Sequence, residues 1–202
     1  MSPAGLLLAA GAGRRMGRPK ALVRLGGEPL VRRAVRVLAE GGCAPLVVVV
    51  GAAADEVEPL LPEGVRVARA PDWDEGMGAS LRAGLAALEA VDPVPDAALV
   101  HLVDLPGVTA AAVARLAAHA STGALARAAY DGRPAHPVLL GRDHWAGVRG
   151  AARGDAGART YLSGHPDLEL VECGDLAEPD DVDTPEQLDQ LVQRRLPRSH
   201  ED

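Results

Sequence analysis

A three-layer α/β/α fold around a doubly wound, mostly parallel sheet is what this 202-residue sequence predicts, on three observations. Residues 5–10, 46–50 and 97–103 are short, almost continuous apolar runs, the form taken by strands buried on both faces. Helical patterns separate them, so strand and helix alternate at the spacing of right-handed βαβ crossovers. The first run also passes straight into a glycine-rich loop, which makes the arrangement Rossmann-like.

The elements follow in order. Leu30, Val31, Ala34, Val35 and Leu38 keep the i, i+3/i+4 spacing of a helix, Arg32, Arg33 and Arg36 lie on its solvent side, and Gly41-Gly42 stops it. A helix is predicted over 53–61, a strand over 65–69 and a helix over 77–89. Thr109 caps a helix through 118, and 124–130 and 137–140 read as a strand pair joined across 131–134. Short helices over 142–148 and 156–163 precede a strand over 168–173. Thr184-Pro185-Glu186 opens the last helix, with proline at its first position, and it runs to Arg195. One domain is expected over 1–202, with an ordered core over about 4–192 and a frayed tail over 196–202.

Lys and Arg number 21 against 28 Asp and Glu, a net charge of −7, which argues against general binding to nucleic acid or an anionic membrane. With two Trp, two Tyr and no Phe, the core must be aliphatic. Cys43 and Cys173 match no zinc or CxxC spacing and read as reduced thiols. The run over 5–10 is too short for a signal core or a membrane span, so a cytoplasmic protein is expected.

The chemistry concentrates where residues 6–10 meet the loop from Gly11 to Lys20. Glycines there let backbone N–H groups approach an anion, at the strand edge where open α/β sheets bind ligands. Arg14, Arg15, Arg18 and Lys20 add enough positive charge to face a triphosphate. Met16 breaks the GxGxxG pattern and no Ser or Thr follows Lys20, so neither a dinucleotide fingerprint nor a Walker A loop is present. Asp104 ends the third apolar run and projects into the same crevice, a hard oxygen ligand suited to Mg²⁺. Asp181 and Asp183 bracket Val182 before the last helix, where Asp183 serves either as a helix cap or as part of a cation site. Ser80 either caps or lines the helix over 77–89, and Trp73 either packs or stacks on a base. His136 precedes a strand, and the other histidines, among them His101 and His200, form no ligand spacing.

Leu8-Ala-Ala-Gly11, Arg15-Met-Gly17 and Lys20 resemble the LAAGxSxRMGxxK signature of MobA-like nucleotidyltransferases, with Gly13 in place of the usual Ser. Residues 71–85 are similar to the family's PxWxxGMxxSLxxGL segment. Residues 132–138, 154–159 and 181–186 resemble the later motifs of the branch that joins CTP to molybdopterin. The resemblance spans about 4–192 and rests on five motifs in the right order. It implies a nucleotide-diphospho-sugar transferase-like fold, transfer of CMP from CTP to molybdopterin with release of pyrophosphate, and Mg²⁺ as cofactor. It also implies that Leu8, Ala9, Ala10, Gly11, Gly13, Arg15, Lys20 and Ser80 bind the nucleotide. Arg15, Lys20 and Asp104 would be catalytic, Asp104 and Asp183 would hold the metal, and His136 would lie beside the acceptor. A molybdoenzyme or its chaperone is the implied protein partner. Ala10 stands where guanylyl relatives carry the second Gly of LAGG, which narrows the base site toward a pyrimidine. Val103 and Leu105 replace the Gly and Gln usual beside the metal carboxylate, so contacts made by that Gln have no counterpart. The loop alone also fits a transferase for a sugar, polyol or phospholactate phosphate, or a noncatalytic NTP-binding maturation protein. Retention of Lys20, Asp104 and Asp183 together speaks against the last.

Overall fold

The computed structural model of the chain describes residues 2–195. Its first half holds β1 (Ala4–Leu8), a small hairpin of β2 (Arg24–Leu25) and β3 (Glu28–Pro29), α1 (Leu30–Glu40), β4 (Leu46–Val50), α2 (Ala54–Val57), β5 (Arg66–Arg69), α3 (Met77–Glu89) and β6 (Ala97–Leu102). The second half holds α4 (Ala110–Ala117), β7 (Leu125–Tyr130), β8 (Arg133–Gly141), α5 (Trp145–Ala151), α6 (Arg159–Leu162), β9 (Glu169–Glu172) and α7 (Pro185–Arg195).

The main sheet has the order β5-β4-β1-β6-β8-β7-β9. β1 pairs in parallel with β4 on one side and β6 on the other, and β8 runs antiparallel to both its neighbours. Successive connections therefore diverge at β1, and the crevice between the C-terminal ends of β1 and β6 is the topological switch point where such sheets bind ligands. The apolar runs are continuous because both faces are covered. Leu7, Val48 and Leu99 pack with α1 and α4, and Leu6, Leu8, Val47, Val49 and Val100 pack with α3 and α5. Helix α3 lies flush on the sheet at Gly84, where a Cβ would meet Leu6 at 2.6 Å.

Several predicted elements change length for identifiable reasons. The helix expected over 53–61 is α2 followed by a 3-10 turn, Glu58–Leu60, because Pro59 has no N–H to continue an α-helix. β8 begins at Arg133 rather than 137, since Asp131 (φ 51) and Gly132 (φ 74) alone make the turn. The Glu172 carboxylate accepts the N–H of both turn residues, at 3.1 and 3.0 Å. The β2–β3 hairpin escaped the sequence reading because its strands are two residues long. Thr109 caps α4 as predicted, its hydroxyl accepting from the Ala112 N–H at 3.2 Å. The tail over 196–202, with His200, lies outside the described residues. Cys43 and Cys173 are free and buried. Among the described residues no helix is long and apolar enough to cross a membrane.

Candidate active site

The first strand ends at Leu8, and the chain beyond it sets the floor of a cavity of about 440 Å³. Leu8, Ala10, Gly11, Gly13, Arg15, Lys20, Ser80, Asp104 and Asp183, all predicted site residues, line it. Ala9 does not. Its side chain packs into the core on the α1 face, while its N–H is fixed to the Val49 carbonyl at 2.9 Å. Gly13 explains its own departure from the signature. Its backbone is left-handed (φ 62), and a Cβ there would lie 1.9 Å from the Arg18 carbonyl oxygen, so serine does not fit this turn.

At the rim, four side chains converge. The Lys20 ammonium donates to Asp104 Oδ2 at 2.7 Å and to Asp183 Oδ1, and Arg15 Nη2 meets Asp183 Oδ2 at 2.7 Å. Lys20, Asp104 and Asp183 keep 16%, 21% and 11% of their side-chain surface exposed, whereas Arg15 keeps 75%. Burial alone would push the Lys20 ammonium down, but Asp104 and Asp183 outweigh it and hold it above its ordinary value. Burial likewise pushes Asp183 up, but Lys20 and then Arg15 outweigh it and hold the carboxyl below its ordinary value. At neutral pH Lys20 and Asp183 are therefore both charged.

Asp104 and Asp183 lie 79 residues apart in sequence, and one backbone bond brings them together: the Val182 N–H donates to the Asp104 carbonyl at 2.9 Å. Asp183 is not the cap of α7. Thr184 fills that place, its hydroxyl accepting from the Gln187 N–H at 3.4 Å, while Gln187 Oε1 accepts from the N–H of Asp183 at 2.7 Å and of Thr184 at 3.0 Å. This reciprocal capping leaves the Asp183 carboxylate free for the cluster. Ser80 is buried in the first turns of α3 and lines the cavity; Gly76 (φ 108) precedes the helix without a side-chain cap. Trp73 lines the same cavity and lies over Gly51, where a Cβ would sit 2.7 Å from its ring.

His136 lies elsewhere. It lines a second, inner cavity of about 150 Å³ that shares Leu8, Met77, Leu102 and Asp155 with the first. Its Nδ1 is buried with no hydrogen-bond partner, and burial and the Arg127 charge push its pKa down to about 4, so the ring is neutral at pH 7. His101 is on the opposite face of the sheet, fully buried and pushed down to about 3 by burial, outside either cavity. Sequence reasoning singled out neither Arg127 nor Asp155. Asp155 falls inside the quoted motif over 154–159, but Arg127 is a lone basic residue in a strand with no local signal.

Two carboxylates facing a glycine- and arginine-rich loop at the switch point define the class: a nucleotidyltransferase-type nucleotide site. This chain belongs to the MobA-like NTP transferase domain family, whose profile matches residues 5–169. Nicotine blue oxidoreductase of Paenarthrobacter nicotinovorans is 39% identical over 198 residues, spanning 93% of this chain and 95% of that protein. Molybdenum cofactor guanylyltransferase of Rhodobacter capsulatus is 35% identical over 147 residues, 72% of this chain and 66% of that protein. A nucleotidyl transferase from Methanothermobacter thermautotroptrophicus has the same fold, with a TM-score of 0.80 at 24% identity over 96% of this chain and 97% of that one.

Proposed function

We propose that this chain transfers CMP from CTP to molybdopterin with release of pyrophosphate, acting in the cytoplasm. The observation that carries the reading is the meeting of Lys20, Asp104 and Asp183 beside Arg15 at the mouth of the nucleotide-sized cavity. An oxygen of the acceptor's phosphate would form the new bond to the α-phosphorus as the bridge to the β-phosphate breaks, and the electron pair would leave with pyrophosphate. No protein nucleophile is needed, so the residues position the reactants and offset charge.

The donor set fits Mg²⁺. Asp104 and Asp183 aim hard carboxylate oxygens at one point, the place taken by the Lys20 ammonium, and Mg²⁺ suits one or two carboxylates completed by water and phosphate oxygens. Bound there, the ion would polarise the α-phosphate and favour departure of pyrophosphate. Lys20 and Arg15 would bind the phosphates. Gly11 and Gly13 would let backbone approach them, with Ala10 and Leu8 against the nucleoside and Ser80 on the opposite wall. His136, in the inner cavity, would face the acceptor, and a molybdoenzyme or its chaperone would receive the product.

Pyrophosphate release measured over a panel of NTPs with molybdopterin tests the whole reading; no release with any NTP would overturn it. Ala10 is 4% exposed on the cavity wall, and a Cβ there would leave a purine less room than the Gly of the guanylyl form. The kcat/KM for CTP should therefore exceed that for GTP by about tenfold or more, since a misfitted base leaves buried polar groups unpaired. A tenfold preference for GTP would move this chain to the guanylyl activity named for the Rhodobacter relative. His136→Ala should raise the acceptor KM by about tenfold and leave the CTP dissociation constant unchanged. An equal loss of CTP affinity would place His136 on the donor side.

A second reading has its own support. The Paenarthrobacter relative that matches 93% of this chain is named an oxidoreductase, and Leu105, where the cytidylyl motif has Gln, is buried in the core instead of lining the cavity. In that reading the crevice would hold an organic redox substrate, as that relative's name indicates, and would transfer no nucleotide. Turnover of nicotine blue with a supplied reductant, without pyrophosphate release, would select it.

A further inference from the structure

We propose that the inner cavity is a phosphoryl-binding subsite held by Arg127 and Arg159, which grips the phosphate of the acceptor next to the nucleotide. The inference deepens the transferase reading by assigning residues to the acceptor side, and it rests on that reading for the identity of what the phosphate is attached to.

The cavity is built by the one reversed strand. β7 and β8 lose register between Arg127, opposite Val138, and Ala129, opposite Pro134, so β8 carries extra residues around His136. Bulges of this kind re-aim side chains. Here the bulge turns the Ala135 carbonyl toward Arg127, whose Nε–H donates to it at 2.9 Å. Arg127 shares the sheet face of Leu125 and Leu140 and is half-buried in the cavity wall. Across the space, Arg159 begins α6 and lines the same cavity.

Neither guanidinium has a carboxylate partner in any ion pair among the described residues. Both sit close enough that burial and then the Arg159 charge hold the Arg127 pKa below its ordinary value. Two unneutralised cations facing one half-closed space repel each other, and the arrangement gains most from an anion between them. His136 adds a buried Nδ1 with no partner on the same wall. Asp155 is the acidic group lining the cavity; it stands at the junction with the outer crevice, with Oδ1 where a Cβ on Gly76 would meet it at 2.6 Å. Two positive charges against one negative leave the space net positive.

Size narrows the ligand. A volume of about 150 Å³ is well below the 300–1,000 Å³ range of whole-ligand pockets, so it takes a headgroup and not a nucleotide. Planar guanidiniums match phosphate oxygens two at a time. The two cavities share Leu8, Met77, Leu102 and Asp155, so a phosphate held here would lie next to the outer crevice, where a nucleophilic oxygen is required.

Titration of the whole protein with inorganic phosphate, followed by calorimetry, tests the subsite. Arg159→Ala, at an exposed position, and Arg127→Gln should each weaken phosphate binding by about tenfold or more. Lys20→Ala should keep a phosphate site of nearly wild-type affinity. Unchanged phosphate affinity in a folded Arg159→Ala protein, or loss of all phosphate binding in Lys20→Ala, overturns the subsite. CTP titration of the same proteins separates the two readings. CTP affinity unaltered by Arg159→Ala supports the division of sites. Failure of the wild type to bind any NTP removes the transferase reading and leaves the phosphate result to stand or fall by itself.

Discussion

Asp104→Ala should cut Mg²⁺-dependent turnover by about a hundredfold or more while leaving a folded protein. Asp104 follows β6 at the switch point, with its carboxylate 21% exposed and aimed at the same point as that of Asp183. Removing it deletes one of two hard donors, and the charge stabilisation lost from a Lewis-acid site amounts to about 3 kcal/mol or more. Stability should suffer far less, because Lys20 keeps Asp183 as a partner and the Asp104 carbonyl, which holds Val182, belongs to the backbone. Asp104→Asn keeps the shape and removes the charge, so it should fail almost as badly. Steady-state turnover over a Mg²⁺ series, with thermal melting as the folding control, makes the comparison. Near wild-type turnover in either variant would remove Asp104 from the proposed metal site.

Lys20→Ala should have the next largest effect, weakening CTP binding and turnover by about tenfold or more each. The same substitution strips the cation from between Asp104 and Asp183, leaving two carboxylates facing each other. Their repulsion favours any divalent ion, so Mg²⁺ without nucleotide should raise the melting temperature of Lys20→Ala more than that of the wild type. Lys20→Arg should restore little, because a planar fork cannot occupy the point between two carboxylates that a compact ammonium fills. Calorimetry with CTP and melting with Mg²⁺ alone read the two effects separately. Unchanged CTP affinity in Lys20→Ala would return the loop to a solvated turn without a ligand.

The parallel half of the fold was legible because its signals are local. Apolar runs such as 46–50 declare two-sided burial, and the α3 pattern gave both ends of the helix, Met77 and Glu89. The loop that lines the outer crevice was legible for the same reason, since the residues from Leu8 to Lys20 are contiguous. What was hidden is non-local. Asp183 was left between cap and ligand because its fate depends on Gln187 and Thr184 closing the helix start, and on a backbone bond to Asp104. The Ala9 side chain faces the core because strand alternation sends it to the face opposite Ala10. Arg127 carried no signal, since its meaning comes from a register shift in a partner strand interrupted by two prolines.

The reversal of β8 divides the inheritance of the protein into two separable halves. Residues of the outer crevice come almost wholly from the chain before Asp104, with Asp155 and Asp183 returning late, whereas most of the inner cavity is furnished by 127–140 and 155–162. Changes in β7, β8 and α6 would then alter the inner cavity and leave most of the lining of the outer crevice in place. Relatives as differently named as a guanylyltransferase and an oxidoreductase both match this chain. Transplanting the 125–162 segment between them, rather than exchanging single residues, is the unit of change that this architecture makes available.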